Sequence, residues 1–294
     1  MAATDLHAVN VEKSIAGVRA AVAAARREGK KIGLVPTMGA LHEGHLSLMR
    51  AAREECDHVV VSIFVNPTQF GPHEDLDRYP RPIETDLRAC SEEGVDLVFH
   101  PDVPAIYPPG DQTIVEATQL STVLEGAFRP GHFRGVTTVV LKLFNIVTPD
   151  VAYFGRKDYQ QQLIIRQMCR DLALPVEIIT CPTIREPDGL ALSSRNRYLS
   201  ETERETALAL SGCLKFANDQ IAAGETDLQA IRGRMLERMR QTPGVEVDYA
   251  TIANAQTLAE EPEPTGPLVA LIAARVGTTR LIDNMPIDRE LATD

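Results

Sequence analysis

The run Pro36-Thr-Met-Gly-Ala-Leu-His-Glu-Gly-His45 sets two imidazoles three residues apart, where an apolar stretch hands over to a helical pattern. Lys31 to Val35 reads as a short buried strand, and Leu41, Leu46, Leu48, Met49 and Ala52 carry helix-like apolar spacing beyond the turn. His42 and His45 therefore share one helix face and can meet the same phosphates. Free backbone N–H groups at a helix start attract such an anion, and Gly39 and Gly44 would let the backbone approach it closely. The plainer reading of a histidine at a helix start is a solvated or capping residue. Gly39 and Gly44 also have Walker A spacing, but His45 stands where the lysine belongs and Leu46 where the hydroxyl belongs. A P-loop is excluded on that ground, and no G-x-G-x-x-G follows a strand to mark a dinucleotide site.

Four further runs carry chemistry-bearing residues. Asn66-Pro-Thr-Gln-Phe-Gly71, with Asp75, Asp77 and Tyr79 behind it, is a proline turn in which Gln69 offers both a donor and an acceptor to a hydroxylated substrate. Glu125 to Gly135 holds Arg129, His132 and Arg134 in a glycine-proline loop, and three basic residues in an acidic chain suggest an anion nearby. Phe154-Gly-Arg-Lys-Asp-Tyr-Gln-Gln161 places Lys157 to meet a phosphate, with Asp158 in an N-cap position. A fourth run, Leu192-Ser-Ser-Arg-Asn196, offers two hydroxyls and a guanidinium to a triphosphate.

The elements that must position these runs alternate. Strands are expected at 31–35, 59–65, 96–100, 151–154 and 176–180, separated by helices near 12–28, 43–55, 83–93, 135–147 and 158–172. That alternation predicts an α/β fold, a Rossmann-like parallel sheet with helices on both faces. Ligands of such sheets bind outside the carboxyl ends of the strands, where the runs after 35, 65 and 154 begin. Beyond the Arg185-Glu-Pro-Asp-Gly189 turn the texture changes, with helices near 201–223 and 226–241 and strands near 245–253, 268–276 and 278–283. The expected organisation is thus a domain over 1–187 and a small α+β C-terminal domain over 188–294.

With 294 residues, 44% of them hydrophobic, the chain can bury a substantial core. A net charge of −11 argues against nucleic acid or an anionic membrane as partner. The five cysteines form no C-x-x-C pair and are odd in number, which fits neither a zinc site nor a disulfide framework and points to a reducing, cytoplasmic setting. Met1 to His7 shows no basic segment followed by an apolar run, and no stretch approaches the roughly 20 apolar residues of a membrane span, so a soluble protein is expected.

Strand, glycine turn and H-x-G-H together are the pattern of the nucleotidyltransferase group that includes the class I aminoacyl-tRNA synthetases. Within it, the ordered set P-T-M-G-A-L-H-E-G-H, S-I-F-V-N-P-T-Q-F, D-L-D-R-Y-P-R, L-E-G-A-F-R-P-G-H-F-R-G-V, F-G-R-K-D-Y-Q-Q and L-S-S-R-N-R-Y-L resembles the pantothenate synthetase family, the pantoate–β-alanine ligases. The match runs over most of 31–200, and the C-terminal residues offer no comparable motif. The resemblance implies a two-step ligation in which pantoate attacks ATP, expelling pyrophosphate, and β-alanine then attacks the pantoyl adenylate to give pantothenate and AMP, with Mg2+ on the phosphates. It implies that Met38, Gly39, Ala40, Leu41, His42, Glu43, Gly44 and His45 line the ATP site, His45 acting as proton donor beside His42. It further implies triphosphate contacts from Lys157, Ser193, Ser194 and Arg195, and nucleoside contacts from Gly155, Arg156, Asp158, Ile184 and Leu192. Arg156 departs from the family's usual Glu or Gln. By the same resemblance Gln69 and Gln161 bind pantoate, Arg129 and His132 lie near its carboxylate and β-alanine, the C-terminal domain closes as a lid, and the enzyme is a homodimer. Two rivals are a relative that adenylylates a phosphate ester and a nucleotide-binding regulator without turnover; pyrophosphate release separates them.

Overall fold

The computed structural model describes residues 9–287, so the reading of Met1 to His7 lies outside it. The described residues form two compact units, one built from the chain up to Thr122 with Arg129–Arg156 and Gln161–Pro182, the other from Val123–Phe128, Lys157–Gln160 and the residues from Thr183 on.

The first unit holds a six-stranded parallel sheet of β1 (Asn10–Glu12), β2 (Ile32–Thr37), β3 (His58–Ile63), β4 (Leu97–Phe99), β5 (Val151–Gly155) and β6 (Glu177–Cys181), in the order β1-β4-β3-β2-β5-β6. Period-two alternation divides its side chains between two cores. Leu34, Val60, Ala152 and Phe154 face α1 (Ile15–Arg27), α6 (His132–Val147) and α7 (Tyr159–Asp171). Val35, Val59, Val61, Val151 and Tyr153 face α2 (Glu43–Glu55) and α3 (Ile83–Glu92). Because both faces are covered, the strands are almost uniformly apolar, as the sequence suggested. A single-turn helix, α4 (Val103–Ile106), follows β4. Chain order reverses between β2 and β5, so the turns that leave these two adjacent strands open at the sheet's switch point.

The second unit packs α8 (Glu201–Ala222) and α9 (Leu228–Gln241) on an antiparallel sheet of β7 (Val245–Asn254), β8 (Leu268–Val276) and β9 (Thr279–Ile287), with the short α5 (Glu125–Phe128) also belonging to it. Ser200 starts α8 with a capping box completed by Glu203.

Three expectations need correcting. The helix expected from 12 begins at Ile15, where Ser14 Oγ accepts the Gly17 amide at 3.0 Å, and the residues before it form edge strand β1, too short to show a period. The helix expected from 135 begins at His132, after Gly131 takes φ 83°. The last strand, expected to end at 283, runs on to Ile287 through Asn284 and Pro286, residue types disfavoured in strands. Asp283 is buried there against Arg185, at 2.7 and 2.9 Å, and β9 is an edge strand that tolerates proline.

Candidate active site

At the end of β2, Thr37 Oγ1 donates to the Ser62 carbonyl at 2.7 Å and accepts the Gly39 amide at 3.1 Å. Gly39 and Ala40 then take φ of 75° and 50°. This left-handed pair turns the next amides inward, and Asp86 of α3 accepts Ala40 N and Leu41 N, each at 2.8 Å. His42 is the N-cap of α2: its Nδ1 accepts the Gly44 amide at 3.1 Å, while His45 Nδ1 accepts the His42 amide at 3.3 Å. The two rings lie 4.1 Å apart between centroids.

This geometry makes both histidines part of the cap of α2. An imidazole whose Nδ1 accepts a hydrogen bond carries its proton, when neutral, on Nε2. Both rings are thereby fixed as Nε2–H donors, side by side at the carboxyl edge of the sheet. Two expectations change. The amides of residues 42 and 44 at the helix start, like those of 39, 40 and 41 before it, are satisfied inside the chain rather than left free for an anion. Gly44 makes room for protein as well, since a Cβ there would stand 2.9 Å from His42 Cε1.

After β3 a 3-10 turn, Pro67–Gln69, presents Gln69, 9% exposed. Asn66, almost wholly buried, donates from Nδ2 to Gln69 Oε1 and to the Gly135 carbonyl of α6, each at 3.1 Å. Its Oδ1 accepts from Thr68 Oγ1 and Tyr107 Oη, both at 2.9 Å. Gln69 Nε2 points at Met38 Sδ, 3.2 Å away, a weak acceptor. The amide is thus oriented by Asn66 with its N–H end toward the turn that follows β2.

Arg129 and His132 converge on the same turn. Arg129 Nη1 donates to His132 Nε2 at 3.1 Å, which leaves His132 Nδ1 to donate to the Gln69 carbonyl at 2.9 Å. The anion that the basic loop suggested is supplied by the protein: Arg129 holds Glu74 through Nε and Nη2 at 2.8 and 2.6 Å. Burial opposes ionisation of Glu74, but the Arg129 hydrogen bonds and charge, with His132, outweigh it and hold the carboxyl below its ordinary range. Arg134 is exposed on α6. Gly155 ends β5 and Arg156 follows it in a turn, its amide on the Cys181 carbonyl at 2.8 Å, and Gln161 is half-buried on α7.

The remaining candidates belong to the second unit. Leu192 N donates to the Ile184 carbonyl at 3.0 Å, which brings these two together, and Ser193 Oγ caps the 3-10 turn Ser194–Tyr198 by accepting Arg195 N at 3.3 Å. Lys157 and Ser193 line one small cavity with Asp283. Asn284 Nδ2 holds the Lys157 carbonyl at 2.8 Å, and exposed Asp158 follows it. Sequence reasoning missed Asp86, Glu74 and Asn284 as partners of these residues. Asn66 alone left a signal, its place before proline in a turn.

Residues 10–286 match the family model described as pantoate-beta-alanine ligase. The chain belongs to the pantoate–β-alanine ligase family. A pantothenate synthetase of Moorella thermoacetica is 55% identical to this ligase over 276 residues, 94% of this chain and 98% of the relative. The crystal structure of pantothenate synthetase from Thermus thermophilus superposes with a TM-score of 0.91 at 44% identity, covering 96% of this chain and 100% of the other. A pantoate–β-alanine ligase from Francisella tularensis, crystallised with β-γ ATP and β-alanine, gives a TM-score of 0.79 at 36% identity over 96% and 99% of the two chains. The ligase activity and the parallel-sheet architecture read from the sequence are both those of this family.

Proposed function

We propose that this ligase joins pantoate to β-alanine with ATP through a pantoyl adenylate. In the first step a pantoate carboxylate oxygen attacks the α-phosphorus, the bond to the bridging oxygen of the β-phosphate breaks, and pyrophosphate leaves. In the second the neutral β-alanine nitrogen attacks the acyl carbon, the bond to the AMP oxygen breaks, and AMP leaves while the nitrogen releases one proton to solvent, giving the amide of pantothenate. The observation that carries the reading is the pair of imidazoles at the end of β2, both set by their Nδ1 bonds as Nε2–H donors. Negative charge builds on the α-phosphoryl and pyrophosphate oxygens as the first step proceeds, and fixed donors stabilise it without reorganising. His45, with His42 beside it, takes that role, and Met38–Glu43 with Gly44 line the rest of the ATP turn.

Lys157, Ser193, Ser194 and Arg195 are assigned to the triphosphate, and Gly155, Arg156, Asp158, Ile184 and Leu192 to the nucleoside. The assignment is supported by the pairing of Ile184 with Leu192 and by the cavity that Lys157 shares with Ser193. Gln69 and Gln161 read the pantoate hydroxyls, since a buried amide oriented by Asn66 rejects an acid that leaves it unpaired. Arg129 and His132 are assigned to the pantoate carboxylate and β-alanine, a role that Arg129 would have to share with its pairing to Glu74. Magnesium is assigned to the phosphates of ATP, where it would neutralise part of their charge. The division 1–187 for ATP and pantoate and 188–294 for a lid that keeps water from the mixed anhydride is an assignment of roles, and Val123–Phe128, Lys157–Gln160 and the residues from Thr183 to 187 belong to the second compact unit. The reading places the enzyme in the cytoplasm, in keeping with five buried free thiols, as a homodimer like the family it resembles.

The test is exchange of labelled pyrophosphate into ATP. It should require pantoate and magnesium but not β-alanine, and exchange strictly dependent on β-alanine would contradict the two steps.

A further inference from the structure

Asp86 is one of the most deeply buried carboxylates among the described residues, 1% exposed, and it lies 46 positions from Ala40 in the chain. Burying a carboxylate is costly unless it does something that a neutral side chain does not. Both oxygens accept backbone amides of the ATP turn, Oδ2 from Ala40 and Oδ1 from Leu41 at 2.8 Å. Ala40 sits at φ 50°, a left-handed conformation that a residue with a Cβ adopts only where its surroundings impose it. On the other side Thr37 holds only Gly39, so Asp86 is the side chain that closes the turn immediately before His42. From Leu41 onward the order is transmitted by the two imidazole caps: Gly44 N to His42 and His42 N to His45.

We propose that Asp86 is a positioning residue for adenylate formation: its carboxylate clamps Ala40 and Leu41 in a left-handed turn and thereby sets where the His42 and His45 Nε2–H donors point. The inference rests on the reading of this turn as the ATP turn. It assigns Asp86 no contact with substrate. An asparagine in its place keeps one acceptor but turns an NH2 group toward the second backbone N–H, so one of the two amides loses its partner.

The experiment is pantoate-dependent pyrophosphate exchange by the intact enzyme, with Asp86→Asn alone and combined with Ala40→Gly. Asp86→Asn should lower the kcat of exchange by about 10²-fold, the scale of a misplaced catalytic group, with KM for ATP and pantoate changed by less than about 3-fold. Glycine holds a positive φ without a clamp, so the double variant should recover at least about tenfold over Asp86→Asn. A folded Asp86→Asn enzyme with wild-type kcat, or a loss that Ala40→Gly does not relieve, overturns the proposal. Hydrogen exchange of the wild-type Ala40 and Leu41 amides keeps it testable if Asp86→Asn fails to fold: protection like that of α3 supports the clamp, and free exchange overturns it. Failure of the ATP-turn reading looks different, with these amides protected but exchange of pyrophosphate untouched by His42→Ala and His45→Ala.

Discussion

Arg280→Met should break the polar centre of the second unit. Arg280 meets Glu125 through Nη1 and Nη2, each at 2.7 Å, and Asp248 through Nε at 2.7 Å, while Tyr249 Oη donates to Glu125 at 2.9 Å. The side chains of Arg280, Glu125 and Asp248 are 16%, 8% and 14% exposed, so water replaces little of what is lost. One cation serves two carboxylates here. Methionine fills similar volume, which isolates the electrostatic loss from a cavity. Removing one partner of a buried pair costs about 3–5 kcal/mol, and two stranded carboxylates place this case toward the upper end. The loss should be read by native-state hydrogen exchange of β8, because a chain with two compact units need not unfold in one step. Adding Glu125→Gln should restore part of the protection, since a neutral amide leaves one carboxylate fewer uncompensated. Lower pH, which lets the stranded carboxyls take up protons, should also shrink the loss. A loss below about 1 kcal/mol, the range of exposed pairs, or no recovery on adding Glu125→Gln, would refute the reasoning.

His45→Ala should slow adenylate formation by roughly 10²–10³, the cost of one preorganised donor, with modest loss of ATP affinity; weakened ATP binding with unchanged single-turnover adenylation would contradict the role. Gln69→Ala should raise the pantoate requirement, not that of ATP, by the equivalent of about 0.5–1.5 kcal/mol, and lessen discrimination against an analogue lacking the 4-hydroxyl. Equal preference ratios in both enzymes would sink that assignment. The Glu74 pKa is depressed in the fold, so its pairing with Arg129 stabilises fully above the ordinary value of 4.5 and the contribution is lost as pH falls through the folded pKa. The stability difference between wild type and Glu74→Gln should therefore narrow on acidification, as followed by urea unfolding; a difference constant with pH would show that the pair does not titrate with the fold.

The strands of the first unit were legible because a parallel sheet buried on both faces demands apolar runs, and β2, β3 and β5 each carry three or four Val, Ile, Leu, Phe or Tyr residues in a short span. Helix α2 was legible to the residue, since its apolar spacing starts where the glycine turn ends. Strand β1 was not, because three residues with one apolar side chain have no period, and β9 was cut short after Asp283 because Asn284 and Pro286 are disfavoured in strands. The H-x-G-H turn, the Gln69 turn and the Lys157 and Ser193 runs stand in the sequence as residue types at fixed spacing, which is enough to name the family and the class of chemistry.

Local spacing determines which groups can share a face; it does not determine which hydrogen-bonding atoms remain for a ligand. That was decided by partners far along the chain. Asp86 takes the Ala40 and Leu41 amides of the turn before α2, and Glu74 takes the Arg129 guanidinium that sequence reasoning gave to an unnamed anion. The physical reason is that a buried polar group must be satisfied wherever the fold provides a partner, and partners 46 or 55 positions away are set by packing, on which neither hydrophobic period nor motif carries information.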